Sequence, residues 1–275
     1  MINHELIRTK CKLLFALLAL LFILPSIARA QLPFYTDDAD TTGKGKFHFE
    51  FFNEHDILQK STYPGKSQNT AYSTFNYGVT KRLELDVNAP VIKIFNAKTS
   101  TRGNPTGIGD TQFGGKFRFH DEHDSSRLPA MAVVFYVQVP TGSTSEQLGS
   151  GVTDYWLYGV AQKSLTKKVK GRLNSGILFA GNTSTGLIGL QTAKGRVFTG
   201  NGSLTKDFTS KLRLGAEMFG AVTSNFQLGK GQLEGQVGGN YALSKQFSLA
   251  FGILGGRFSA SPRAGALLGF AYDFK

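Results

Sequence analysis

Charged residues stand at alternate positions inside apolar segments along much of the 275-residue chain. Alternate residues share one face of a β-strand, so these charges would lie opposite an apolar surface. The candidates for this polar face are Glu50, Glu84, Asp86, Lys116, Arg118, Arg172, Arg213, Glu217 and Glu234. If the strands close into a barrel, these residues would line its lumen. Facing carboxylates and cationic groups could form a selectivity constriction. The alternative is that they form ion pairs that pack a narrow interior.

A second group of carboxylates forms an acidic motif near the N-terminus, at Asp37, Asp38 and Asp40. With Asp110 these oxygens could coordinate a hard cation such as calcium. The spacing lacks the alternate-residue ladder of a calcium loop, however, and no metal is predicted. We expect these carboxylates to cap turns or to pair with basic side chains, near the periplasmic rim of the barrel that the strand pattern below predicts.

Catalytic chemistry finds little support in the sequence. After residue 30 the histidines are His48, His55, His120 and His123. A Ser–His catalyst needs both groups within hydrogen-bond reach, and no adjacent Ser–His arrangement appears on an outward-facing strand. There is no phosphate-binding glycine loop, so no cofactor and no enzymatic activity are predicted. A lipid-modifying enzyme is the least favoured alternative.

The elements that carry these residues are β-strands. Clean alternation begins at Lys44, as in Phe47, Phe49 and Phe51, and recurs about twelve times up to residues 263–274. Residues 44–275 are therefore predicted to form a transmembrane, antiparallel, up-and-down β-barrel, and residues 31–43 a periplasmic segment at or inside its mouth. A soluble β-sandwich would also alternate. The completeness of the apolar face and the mixed charges opposite it favour the barrel.

Connections between the strands alternate in length. Short basic turns are assigned to the periplasm, and the longer stretches at 56–67, 95–106, 141–152, 182–195, 223–231 and 257–262 to the outside. A Leu-Thr/Ser-Lys motif at Leu165, Leu204 and Leu243 repeats every 39 residues, with a related copy at Val79. We interpret it as the mark of the periplasmic turns, with 120–128 as a longer member of the series.

The N-terminus has the features of a cleaved secretory signal over residues 1–30. A basic segment from Arg8 to Lys12 precedes an apolar run from Leu13 to Leu24, and Ala28-Arg29-Ala30 supplies a cleavage site. The run is too short to cross the ~30 Å hydrocarbon core. Cleavage would also remove Cys11, the one cysteine, so disulfides are excluded.

The charge of the chain bears on its partners. Its formal charge of +12 falls to +9 when four basic and one acidic residue leave with the signal. Nucleic acid is disfavoured as a partner because the chain is exported and its lysines are scattered. Phospholipid at one rim and lipopolysaccharide at the other are the expected partners.

Short motifs give a family resemblance. They are Pro33 to Asp38, Gly107 to Asp110, Val139 to Gly142 and Gly151 to Asp154. In this order and spacing they resemble the meta-pathway of phenol degradation family of outer-membrane β-barrel transporters. The C-terminal Phe270 to Phe274 likewise resembles the signal that barrel-assembly machinery recognises, although Lys275 follows the last aromatic residue.

The resemblance implies an outer-membrane barrel that passes small hydrophobic or aromatic compounds. Together with the strand pattern it predicts a channel or transporter for passive passage of small solutes. A non-transporting barrel with an envelope-structural or adhesive role is the alternative.

Overall fold

The computed structural model describes residues 32–59, 66–96, 103–123, 127–184, 192–223 and 231–274. The predicted signal peptide at residues 1–30 and the terminal Lys275 lie outside these ranges. The strands are β1 Phe47–Ile57, β2 Ser67–Gly78, β3 Leu83–Phe95, β4 Thr106–Ile108, β5 Thr111–His120, β6 Ala130–Val139, β7 Asp154–Ser164, β8 Val169–Ser184, β9 Thr192–Asp207, β10 Leu212–Thr223, β11 Gln232–Ala242, β12 Phe247–Gly256 and β13 Ala264–Asp273.

These strands close into one antiparallel barrel. Each wall strand pairs with its neighbours in the chain, and β1 pairs with β13 to complete the ring. The short β4 pairs with β3 beyond the point where β5 begins, so β4 and β5 form one interrupted wall strand. The wall therefore has twelve strands, and the predicted fold is confirmed. No helix among the described residues is long and apolar enough to cross a bilayer.

The outer surface of the wall is apolar. Large side chains point outward from almost every strand, with Leu268 exposed by 69% and Ile253 by 62%. An exposed apolar belt of this extent is unfavourable in water and suits lipid. The inward positions carry the buried polar and charged side chains instead. The sandwich alternative is therefore wrong, because the described strands close into one ring and none of them forms a second sheet over the apolar face.

Short turns and the C-terminus share one end of the barrel, called here the turn end. In the turns that follow β2, β7, β9 and β11, a threonine or serine hydroxyl accepts a hydrogen bond from the backbone N–H three residues later. These bonds are 2.9 Å from Leu83 to Thr80, 3.0 Å from Val169 to Thr166, 2.9 Å from Leu212 to Thr209 and 3.0 Å from Phe247 to Ser244. The hydroxyl thus organises each reversal.

One copy of the sequence repeat was assigned wrongly. Leu204-Thr205-Lys206 lies inside β9, and the true turn begins at Phe208, whose N–H donates to the Leu212 carbonyl at 2.9 Å. Thr209 is the equivalent of Thr166 there. The regular spacing of 39 residues is therefore a coincidence at this copy, because Thr205 is a buried, inward residue of β9 and the chain reverses only at Thr209.

Candidate functional site

Residues 32–43, named here the N-terminal strap, cross the inside of the barrel. Leu32, Phe34, Thr36 and Ala39 are all buried, although the strap belongs to no strand. The strap enters at the turn end, where it passes against β2. A Cβ at Gly78 would lie 2.2 Å from the Gly43 carbonyl oxygen, so only glycine permits this approach.

The acidic motif of the strap meets a buried lysine. The Lys116 ammonium lies 3.0 Å from Asp37 Oδ1, 3.7 Å from Asp38 Oδ1 and 3.4 Å from Glu84 Oε1. The Tyr158 hydroxyl donates a further hydrogen bond to Asp37 at 3.1 Å. Lys116 is only 4% exposed, so these carboxylates replace the water that it loses.

Two arginines extend this contact toward the turn end. Arg172 Nη2 lies 3.9 Å from Asp38, and Arg118 Nη1 lies 3.4 Å from Asp40. Burial raises the pKa of the Asp38 carboxyl, and the Lys116 charge opposes this shift. We call β3, β5, β7 and β8 with these residues the charged side of the lumen.

The opposite side of the lumen holds the strap without cations. Glu217 accepts hydrogen bonds from the backbone N–H groups of Tyr35, at 2.9 Å, and Thr36, at 2.8 Å. The Thr36 hydroxyl donates to the same carboxylate at 2.7 Å, and the Tyr35 hydroxyl donates to Glu54. Gln236 Nε2 donates to the Pro33 carbonyl at 2.6 Å.

This second side is rich in buried carboxyl groups and is called here the carboxyl side. Glu54, Asp56 and Glu234 are each no more than 1% exposed. Among the described residues no lysine or arginine forms an ion pair with them. Gln232 Nε2 donates to Glu234 at 2.7 Å. Neutral donors therefore serve Glu54 and Glu234 on this side, as ammonium and guanidinium groups serve the carboxylates on the charged side.

Aromatic rings lie between strap and wall on the carboxyl side. The Tyr35 ring centroid lies 5.0 Å from that of Phe219 and 6.1 Å from that of Phe52, and Phe52 stacks on Tyr72 at 4.7 Å. A cavity of about 570 Å³ adjoins these rings and the strap. Its size is in the range of sites for single small organic ligands.

The predicted lumen residues all occupy inward positions, but they do not form one constriction. Glu84, Lys116, Arg118, Arg172 and Glu217 contact the strap. The others bond elsewhere: Asp86 with Tyr136 at 3.1 Å, Glu50 with His48 at 3.0 Å, Arg213 with Asp207 at 2.6 Å and Glu234 with Gln232. His48 also contacts Asp273 at 2.6 Å, so it is held between two carboxylates.

Several lumen residues were not among the predicted site residues. Glu54, Asp56, Phe52, Tyr72 and Phe219 fall on inward positions of β1, β2 and β10. The alternation that assigned Glu50 inward extends to Glu54 and Asp56. The same alternation reaches Phe52, between Glu50 and Glu54, and Phe219, two residues after Glu217, although large apolar residues are predicted to face outward. Tyr72 has no such signal, because β2 carries no charged residue that would indicate its register.

Three of the four family motifs, at residues 107–110, 139–142 and 151–154, lie at the other end of the barrel, called here the loop end. Asp110 accepts hydrogen bonds from the N–H groups of Gly142, at 3.0 Å, and Ser150, at 2.6 Å. This carboxylate shapes the loop between β6 and β7, whose Leu148 packs inside the barrel against Ile94. Among the described residues no group of three His, Cys, Asp or Glu side chains is arranged to hold a metal ion.

The family is decided by a match over nearly the whole barrel. The family model described as "Putative MetA-pathway of phenol degradation" matches residues 33–274, which include every strand and all of the strap except Leu32. The chain belongs to this family. The resemblance seen in the motifs is thereby confirmed. The comparison with curated proteins finds no match.

Solved structures share the fold at low sequence identity. The COG4313 outer membrane channel from Pseudomonas putida F1 is 13% identical, covers 86% of this chain and 98% of its own, and has a TM-score of 0.68. The NanC porin is 9% identical, with a TM-score of 0.53, and the KdgM porin is 11% identical, with a TM-score of 0.52. Each alignment covers 83% of this chain and 99% of the porin chain. The barrel is thus of the outer-membrane type, which agrees with the predicted location.

Proposed function

We propose that this protein is an outer-membrane channel for the passive passage of small solutes, and that neutral aromatic or other hydrophobic molecules are among them. The observation that carries the proposal is the cavity of about 570 Å³ inside a closed barrel, between the strap and the wall. An apolar exterior and a polar interior are what a membrane channel requires.

The size of the passage follows from what occupies the barrel. Twelve strands enclose less space than the sixteen to eighteen strands of wide porins. The strap crosses this lumen, and the loop that carries Leu148 enters it from the loop end. Only small solutes would pass without displacing the strap.

The solute class is suggested by the rings that line the cavity. Phe52, Tyr72 and Phe219 present apolar faces next to carboxyl groups and amides. Aromatic faces stack favourably on planar apolar solutes. Small anions are disfavoured, because six carboxyl groups line the cavity against two lysines and one arginine. Three further predictions fit this role. They are export by the signal peptide, recognition of Phe270 to Phe274 by barrel-assembly machinery, and contact with lipopolysaccharide.

The competing functions have less support. A Ser–His catalyst would need a histidine free to serve a hydroxyl, whereas His48 contacts two carboxylates and His55 lies on the outward face of β1. An adhesive role would depend on the long loops, and no feature of the described loops favours it.

Uptake into proteoliposomes tests the proposal. Purified protein is reconstituted, and entry of a neutral phenol is compared with entry of an aromatic sulfonate and of a disaccharide. We expect the phenol to enter faster than in protein-free liposomes, and the other two solutes to remain outside. Equal rates with and without protein for every solute, including ions in a conductance measurement, would show that the barrel is not a channel.

A further inference from the structure

The outer wall carries a short polar row near the loop end, on an otherwise apolar surface. His55 of β1 pairs with Asn69 of β2, Asn69 pairs with Lys93 of β3, and Lys93 pairs with Thr106 of β4. These four residues alternate with buried inward neighbours, so their side chains face outward. We call them the outer polar row.

The basic groups of the row converge on one aromatic ring. The Lys93 ammonium lies 5.0 Å from the Phe95 ring centroid, and the His55 ring lies 5.9 Å from the same centroid. Phe95 therefore holds an ammonium and an imidazole on one patch of the wall. Asn69 contributes amide groups beside them and bonds to Asn53 through 2.6 and 3.1 Å contacts.

The charge around this patch has one sign. In the described strands every Asp and Glu occupies an inward position, so no strand carboxylate shares the outer wall with Lys93. A cation on a lipid-facing wall is stabilised by an anionic group of the lipid itself. The ligand chemistry that complements ammonium, imidazole, amide and hydroxyl groups in a row is a phosphate ester on a sugar.

The position of the outer polar row indicates which leaflet of the membrane lies beside it. Both the C-terminus and the short turns lie at the turn end, which faces the periplasm in barrels of this type. His55 and Lys93 each lie two residues before their strand ends at the loop end, about 7 Å along the strand. That depth corresponds to the headgroup region of the outer leaflet.

We propose that the outer polar row binds a phosphorylated glycolipid of the outer leaflet, with the sugar phosphate on Lys93 and His55 and the sugar hydroxyls on Asn69 and Thr106. This site is separate from the lumen and from the proposed passage of solutes. It would fix one lipid molecule to the β1–β4 part of the wall.

The chain supplies a matched control for the lysine. Lys206 lies at the turn end, and its ammonium is 5.0 Å from the Phe208 ring centroid. Lys93 and Lys206 thus share the Lys-x-Phe spacing and the contact geometry but lie at opposite ends of the barrel. Only Lys93 has the outer polar row beside it.

Native mass spectrometry of the delipidated full-length protein tests the site. Bisphosphorylated lipid A is added to the unmodified protein, to Lys93→Gln and to Lys206→Gln, and heat-modifiable gel migration verifies that each variant folds. We expect Lys93→Gln to reduce retention of the lipid about fivefold, the effect of one lysine at a charged lipid surface. The double variant His55→Gln/Lys93→Gln should lose more, and Lys206→Gln should match the unmodified protein.

Two further probes test the ligand class. Dephosphorylated lipid A of the same acyl composition should be retained no better by the unmodified protein than by Lys93→Gln. Phosphatidylglycerol at equal concentration should not displace the glycolipid. Equal retention by Lys93→Gln and the unmodified protein, equal binding of the dephosphorylated lipid, or displacement by phosphatidylglycerol would each overturn the assignment.

Discussion

The two sides of the lumen hold the same strap by different chemistry. On the charged side, Asp37 and Asp38 meet the buried ammonium of Lys116. On the carboxyl side, Tyr35 and Thr36 present neutral donors to Glu217 and Glu54. A buried charge pair is costly to break because one ion is left unpaired, whereas a neutral donor is replaced at lower cost by water. The charged side is therefore the fixed anchor, and the carboxyl side is the one that can separate.

The largest effect is expected from removing the anchor. Lys116→Met would leave Asp37, Asp38 and Glu84 buried without the lysine charge, and we expect it to lower the free energy of unfolding by about 3–5 kcal/mol. Urea unfolding followed by fluorescence of the single tryptophan, Trp156, measures this. The exposed Lys206→Met is the control. If both variants lose the same amount, Lys116 is not the anchor.

A double-mutant cycle measures the interaction between Lys116 and Asp37 separately from the cost of changing either buried side chain alone. Lys116→Met and Asp37→Asn are made singly and together, and we expect a coupling of about 2 kcal/mol, because the two groups are in direct contact. The same cycle between Lys116 and Asp207 should give no coupling, since Asp207 pairs with Arg213 at the rim. Additive losses for Lys116 and Asp37 would contradict the pairing.

The sequence predicted the wall much better than it predicted the strap. Strand alternation depends on each residue and its nearest neighbours, so twelve strands and inward positions for Lys116 and Glu217 could be derived from it. The contacts of Asp37 with Lys116 join residues far apart in the chain, and local pattern does not determine them. The repeat at Leu204 shows a limit of local pattern, because Leu204-Thr205-Lys206 and the true turn that begins at Phe208 have similar residue types, and only the hydrogen bonds show where the chain reverses.

On the carboxyl side a smaller effect is expected when one donor is removed. Tyr35→Phe keeps the ring between Phe52 and Phe219 but removes the hydroxyl that donates to Glu54. We expect a loss of about 2 kcal/mol, since a buried carboxyl group loses a partner. The matched control is Tyr155→Phe, whose ring lies on the outer wall. Equal losses for the two variants would mean that the Tyr35 hydroxyl does not hold the strap.

The smallest effect is expected at Thr36, where the comparison between the two sides is sharpest. Thr36→Val removes the hydroxyl bond to Glu217 at 2.7 Å but leaves the two backbone donors of Tyr35 and Thr36 on the same carboxylate. Because Glu217 stays partnered, the loss should be about 1 kcal/mol. Unfolding by urea measures it, and conductance should rise slightly if this side separates first. A loss as large as that of Lys116→Met would show that the strap is anchored equally on both sides, and the distinction between fixed and separable contacts would fail.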